Sequence, residues 1–203
     1  MSFITRRAPS VRLASLLALA IAQLSCSRTA PPPAATHAGV PLRVGISFAA
    51  SQSSKPLDGR VMLFLSTDST HEPREQISDA VTSQQVFGVD VDGLAPGVEA
   101  VVSDTVLGYP ERSLADIKAG DYWVQGLFHV YETFHRGDGK TVKLPAGDRG
   151  EGQQYAEAPG NLFSKPVRMH IDPSSTAPLH LVLDQTIPPI PGVPDTKYVK
   201  HFR

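Results

Sequence analysis

The stretch Gly120-Asp121-Tyr122-Trp123-Val124-Gln125-Gly126-Leu127-Phe128-His129-Val130-Tyr131-Glu132-Thr133-Phe134 decides how this chain is read. It contains the only tryptophan, and its aromatic and β-branched residues suit a pleated, packed surface. Successive side chains of a strand point to opposite faces. Tyr122, Val124, Gly126, Phe128 and Val130 therefore share one face, and Trp123, Gln125, Leu127, His129 and Tyr131 share the other. Both faces carry bulk, so the stretch reads as a central strand covered on both sides over Tyr122–Tyr131. Just upstream, Leu114-Ala115-Asp116-Ile117-Lys118-Ala119-Gly120-Asp121-Tyr122 has the spacing of a tyrosine corner. In such a corner a Tyr hydroxyl reaches back to upstream backbone and pins a crossing between sheets.

Shorter strands flank this element. Leu42, Val44, Ile46 and Phe48 alternate with Arg43, Gly45 and Ser47, the pattern of a half-buried strand. Further strands are expected over 60–66, 84–91, 98–106, 141–144, 167–171 and 179–183, with a hairpin turn at His135-Arg136-Gly137-Asp138-Gly139-Lys140. Seven to eight strands divided by turn signals predict an all-β fold, an antiparallel β-sandwich of immunoglobulin-like type. The 18 Pro and 16 Gly suit such a fold better than a helical bundle. The domain is expected over 40–186, followed by a Pro-rich linker and tail over 187–203. Pro145 to Asn161 reads as a long polar loop, a kind of segment often tied to function.

The 203 residues are enough for one domain plus a leader. A net charge of -1 offers no basic patch for nucleic acid and no basic run for a membrane surface. Arg6, Arg7 and Arg12 precede an apolar run from Leu13 to Leu24, the arrangement of a signal peptide over 1–25. Cys26 follows at once and is the only cysteine, so it has no partner for an internal disulfide. The junction resembles the lipobox of bacterial lipoproteins, with Gln23 where that pattern places an apolar residue. The resemblance implies lipidation at Cys26 and an outer-membrane or periplasmic lipoprotein. An ordinary cleaved secretory signal, and an uncleaved anchor or spurious extension, are the other readings. The Pro/Ala-rich residues 26–39 are expected to be a disordered tether.

Catalytic motifs are sparse. Gly45-Ile46-Ser47-Phe48-Ala49 lacks the last glycine of a nucleophile elbow and sits within a strand, so Ser47 reads as a solvent-facing strand residue. His129, His135, His170 and His180 lie on or beside strands but lack metal-ligand spacing, and read as surface or hydrogen-bonded residues. Asp138, Asp148 and Glu151 lie in Gly-rich loops and Asp90-Val91-Asp92-Gly93 supplies two carboxylates, but no calcium loop pattern is present. No catalytic residue, metal or cofactor is therefore assigned. Trp123, Tyr131, Phe134 and Tyr155 would make a sugar platform if exposed. The preferred reading of Trp123 is core, with Trp123, Tyr131, His135, Asp138, Glu151 and Tyr155 as the candidate ligand surface.

Several segments carry a resemblance. They are Gln84–Asp90, Gly120–Gln125, Thr133-Phe134-His135-Arg136-Gly137-Asp138-Gly139, Gly150-Glu151-Gly152-Gln153, Pro159-Gly160-Asn161-Leu162-Phe163-Ser164 and Asp195–His201. Together they resemble the β-rich N-terminal module of proteins assigned as secreted bacterial esterases. In that family the module precedes an α/β-hydrolase-type domain. The resemblance implies that such a domain would begin around Asp195–Arg203, and that no triad residue can be carried over to this chain. The expected function is an exported, non-catalytic accessory or binding domain. The alternatives are one part of a split or truncated serine esterase, and an independent carbohydrate- or peptide-binding surface lipoprotein. Expected partners are a membrane, through Cys26, and a hydrolase domain or subunit.

Overall fold

The computed structural model describes residues 42–80, 82–145, 147, 151–191, 194–198 and 200. The leader, Cys26, the tether and Asp148 lie outside the described residues. The described residues form strands β1 (Val44–Phe48), β2 (Leu57–Ser66), β3 (Gln85–Leu94), β4 (Ala100–Val102), β5 (Gly108–Tyr109), β6 (Gly120–His135), β7 (Thr141–Pro145), β8 (Leu162–Phe163), β9 (Val167–Ile171), β10 (Leu179–Leu183) and β11 (Gln185–Thr186). The helical segments among them are single 3₁₀ turns at Pro73–Glu75, Leu114–Asp116 and Glu151–Gln153. The fold is an all-β sandwich of two sheets.

The larger sheet has the order β11-β8-β6-β2-β3-β5, with β7 and β9 also on β6. The smaller has the order β10-β1-β4. β6 is 16 residues long and is the spine of the larger sheet. One of its edges pairs antiparallel with β2 from Trp123 to Tyr131. Its other edge is shared by β9, β8 and β7 in succession. Where these short strands leave gaps, side chains complete the ladder. The Gly126 N–H donates to Ser164 Oγ at 3.0 Å, and the Val130 N–H donates to Asn161 Oδ1 at 3.0 Å. Buried backbone donors on this edge are thus satisfied without a continuous partner strand.

The two faces of β6 have the division expected from alternation. Val124 and Phe128 join the main core with Ile46, Phe48, Val61, Leu63, Leu181 and Leu183. Gly126 allows the small sheet to approach: a Cβ there would lie 2.9 Å from Leu183 and 3.3 Å from Ile46. Leu127 on the opposite face belongs to a second cluster with Met62 and Phe64, which Ile77 and Tyr155 cover from loops and Phe163 from β8. The tyrosine corner is formed: the Tyr122 hydroxyl donates to the Lys118 carbonyl at 2.9 Å.

Several details differ from the sequence expectation. β1 pairs parallel with β10, in a sheet expected to be antiparallel. The two strands are remote in sequence, so no hairpin constrains their direction. The strand expected over 98–106 is only Ala100–Val102. Every residue of β1 is buried, and Ser47, at 9% exposed, does not face solvent. Ile187 was expected to begin the linker, yet it is 7% exposed and its backbone bonds to Gly160 and Asn161.

Candidate functional site

The outer face of β6 carries the most developed polar site among the described residues. It begins with Ser66, the last residue of β2, where the chain leaves the sheet. Ser66 Oγ accepts from the Asp68 N–H at 2.9 Å, and its hydroxyl lies 2.7 Å from Gln76 Oε1. The Gln76 amide donates to the carbonyls of Asp68 and His71, at 3.1 and 2.6 Å. Asp68 in turn accepts from the backbone N–H and hydroxyl of Thr70, both at 2.8 Å, and these bonds hold its carboxyl below the usual range. Such local side-chain bonds give a loop one shape without a ladder. Pro73 starts the 3₁₀ turn, where its missing N–H costs nothing.

Beneath this loop lies Gln125, which is fully buried. Its Oε1 accepts the Arg74 N–H at 3.1 Å, and its Nε2 donates to Glu72 Oε2 at 2.8 Å and to the Ser164 carbonyl at 2.9 Å. Arg74 Nε donates to the same Glu72 oxygen at 2.7 Å. Arg74 Nη1 reaches the Ala156 carbonyl at 2.6 Å, and its guanidinium lies 4.3 Å above the Phe163 ring. Arg74 is the more covered partner of this half-buried ion pair, and its covered donors need partners of their own. Here the strand, the 67–76 loop and the 151–158 segment share that task.

Glu72 stands at the edge of an open cleft of about 400 Å³. Ser69, Thr70, His71, Pro73, Trp123 and Pro166 complete its lining. The volume lies within the range of small-molecule sites, about 300–1,000 Å³. Trp123 is half-buried and lines this cleft, where the sequence favoured a core position. It falls on the loop-covered face and is only partly covered there.

The other candidate residues do not gather with Trp123. Tyr131 and Tyr155 surround His129, at ring-centroid distances of 5.3 Å and 6.4 Å. Tyr155 also stacks on Phe64 at 5.8 Å. Burial raises the pKa of both tyrosines. His135 and Asp138 sit at the far end of β6, in the hairpin to β7. There His135 Nδ1 lies 3.2 Å from Thr141 Oγ1, and Asp138 pairs with Arg136 at 3.2 Å. The twelve residue steps along the strand from Trp123 to His135 span roughly 40 Å. The backbone of Glu151 opens a 3₁₀ turn, and its side chain lies outside the described residues. The expected single ligand surface is therefore divided along β6, with Trp123 in the cleft, Tyr131 and Tyr155 beside His129, and His135 and Asp138 in the hairpin.

Other histidines and carboxylates singled out in the sequence are partnered in separate places. His129 Nε2–H donates to the Gly152 carbonyl at 2.6 Å. His170 Nδ1 meets Asp121 at 2.9 Å, and His180 Nδ1 meets Glu99 at 2.6 Å. The Asp121 carboxyl is held below its usual range, chiefly by the His170 hydrogen bond. Asp92 and Asp58 both bind Lys143, and Asp90 pairs with Arg60 at 2.8 Å. Among the described residues no group of three or more His, Cys, Asp or Glu side chains comes together to hold a metal.

Sequence reasoning missed Glu72, Arg74 and Gln125. One signal for Gln125 was present: an amide within a strand stretch bulky on both faces needs buried partners. No family model, curated protein or solved structure matches this chain.

Proposed function

We propose that this chain is an exported, non-catalytic binding module, held at a membrane through Cys26, whose ligand enters the Trp123 cleft. The observation that carries the reading is the buried Gln125 amide. It orients Glu72 from beneath, so the carboxylate meets a ligand already in place. Preorganisation of this kind cuts the ordering cost of binding. The loop that forms the rim is likewise fixed before any ligand arrives, through Ser66 and Gln76.

Trp123 is the only tryptophan, so its fluorescence reports this cleft alone. Titration with neutral oligosaccharides, short peptides and choline gives a saturable change for one of these classes. No change with any class overturns the reading. Export is tested separately: replacing Cys26 by Ala releases the chain from the membrane fraction and removes labelling by radioactive palmitate. Membrane retention and labelling that survive the substitution overturn the anchor.

A second reading comes from the segments that resemble the esterase module. Pro159–Ser164 supplies Asn161 and Ser164, which complete the β6 ladder, and Phe163, which lies under Arg74. This segment thus helps to build the frame beneath the cleft, which suits an accessory that presents substrate to a hydrolase domain. On this reading the purified chain does not hydrolyse p-nitrophenyl acetate. Turnover that a serine-reactive phosphonate abolishes would contradict it.

A further inference from the structure

The ligand class follows from the chemistry of the cleft wall, and it rests on the Trp123 cleft being the binding site. The two oxygens of Glu72 differ. Oε2 accepts from both Arg74 and Gln125, so the negative charge is balanced inside the wall. Oε1 takes no hydrogen bond from a described residue, and the Glu72 side chain is 38% exposed at the cleft. Such an oxygen remains a strong acceptor for a hydroxyl. With Arg74 against the same carboxylate, it offers little net attraction to a full cation.

The rest of the lining supplies the complement. The Trp123 indole gives an apolar face and an N–H that can only donate. That N–H bonds to no described residue, and no buried side-chain nitrogen or oxygen among them lacks a partner, so it opens toward solvent. Pro73 and Pro166 add apolar walls without side-chain donors. Ser69 and Thr70 also line the cleft, with the Thr70 hydroxyl donating to Asp68.

Other ligand classes fit less well. An anion would meet Glu72 and the nearby Asp68, whose carboxyl is held in its charged form by Thr70. A peptide adding as a strand needs an open sheet edge. At Trp123 both edges of β6 are taken, by Ser66 of β2 and Arg168 of β9. An apolar platform beside an acceptor and a donor matches a ring with C–H groups on its face and hydroxyls around its rim.

We infer that the cleft takes an uncharged pyranose saccharide, its C–H face on Trp123 and a ring hydroxyl donating to Glu72 Oε1. Glu72 is then the specificity-determining residue and Trp123 the platform.

The test is calorimetric titration of the whole chain with neutral disaccharides built on glucose, galactose and N-acetylglucosamine. Choline and a proline-containing tripeptide are titrated in parallel. At least one disaccharide binds saturably. Glu72→Gln weakens it about tenfold, because a charged acceptor becomes a neutral one. Trp123→Phe weakens binding and Trp123→Ala removes it, while the melting temperature of Glu72→Gln and Trp123→Phe shows that both still fold. Binding of choline or the tripeptide with no disaccharide binding overturns the saccharide inference and leaves the cleft reading standing. Binding of nothing overturns both. Disaccharide binding that Glu72→Gln leaves unchanged overturns the role of Glu72.

Discussion

Gln125 Nε2 and Glu72 Oε2 meet at 2.8 Å across the outer face of β6, and this contact couples the sheet to the cleft. A residue buried between the larger sheet and the 67–76 loop thereby sets the position of a carboxylate at the surface. Removing the amide leaves the Arg74 N–H, the Ser164 carbonyl and one side of Glu72 without their partner. Gln125→Leu is therefore expected to lower stability by about 2–3 kcal/mol. Urea unfolding measures the loss. A change within about 0.5 kcal/mol, the size of an ordinary surface substitution, would show that the network is not needed.

Gly59 and Gly126 give a graded test of the packing. A Cβ at Gly126 meets the ends of Leu183 and Ile46, which can shift. Gly126→Ala should cost about 1–2 kcal/mol. A Cβ at Gly59 collides with the backbone carbonyl of His129, on a neighbouring strand that cannot move aside. Gly59→Ala should cost more than Gly126→Ala, or prevent folding. Equal melting temperatures for the two variants would contradict the assigned register between β2 and β6.

The side chain of Asn161 stands in for a strand. Its Oδ1 accepts the Val130 N–H at 3.0 Å, and its Nδ2 donates to the Tyr155 carbonyl at 2.8 Å. Asn161→Ala orphans both groups and should cost about 2 kcal/mol. Hydrogen exchange of the Val130 amide should quicken beyond the global change in stability. Unchanged protection at Val130 would contradict the bond.

The legible part of the fold follows from particular residues. β6 was readable because its two faces both carry bulk, and Tyr122 because its hydroxyl has a backbone carbonyl within reach upstream. β5, β8 and β11 were not readable, since strands of two residues show no periodicity. Nor was the parallel β1–β10 pair, which joins distant segments through the core rather than through a turn. Of the site, Trp123 was visible as an aromatic, but its placement depends on where the 67–76 loop lies. That loop is held by long-range bonds to Gln84 and Gln125, which no local pattern encodes.

His129 makes stability depend on pH. Burial depresses its pKa, and the hydrogen bond to Gly152 offsets only part of that. Below about 6.5 the unfolded chain therefore binds more protons at this residue than the folded chain. Its contribution is fully present above about 6.5 and is lost as the pH falls from there toward the depressed value. His129→Gln keeps a donor for Gly152 and cannot titrate. Melting temperatures of this variant should fall less between pH 7 and 5 than those of the parent. Parallel slopes would show that His129 does not titrate with unfolding.

The most direct test of the account follows the indole N–H resonance of Trp123, which is unique in the spectrum, as neutral disaccharides are added to the ¹⁵N-labelled chain. Saccharide in the cleft gives a saturable shift of that resonance, with the amides of Thr70 and His71 moving at the same midpoint and those of the hairpin around Asp138 staying still. An indole resonance that stays in place throughout, or shifts confined to the hairpin, would contradict it.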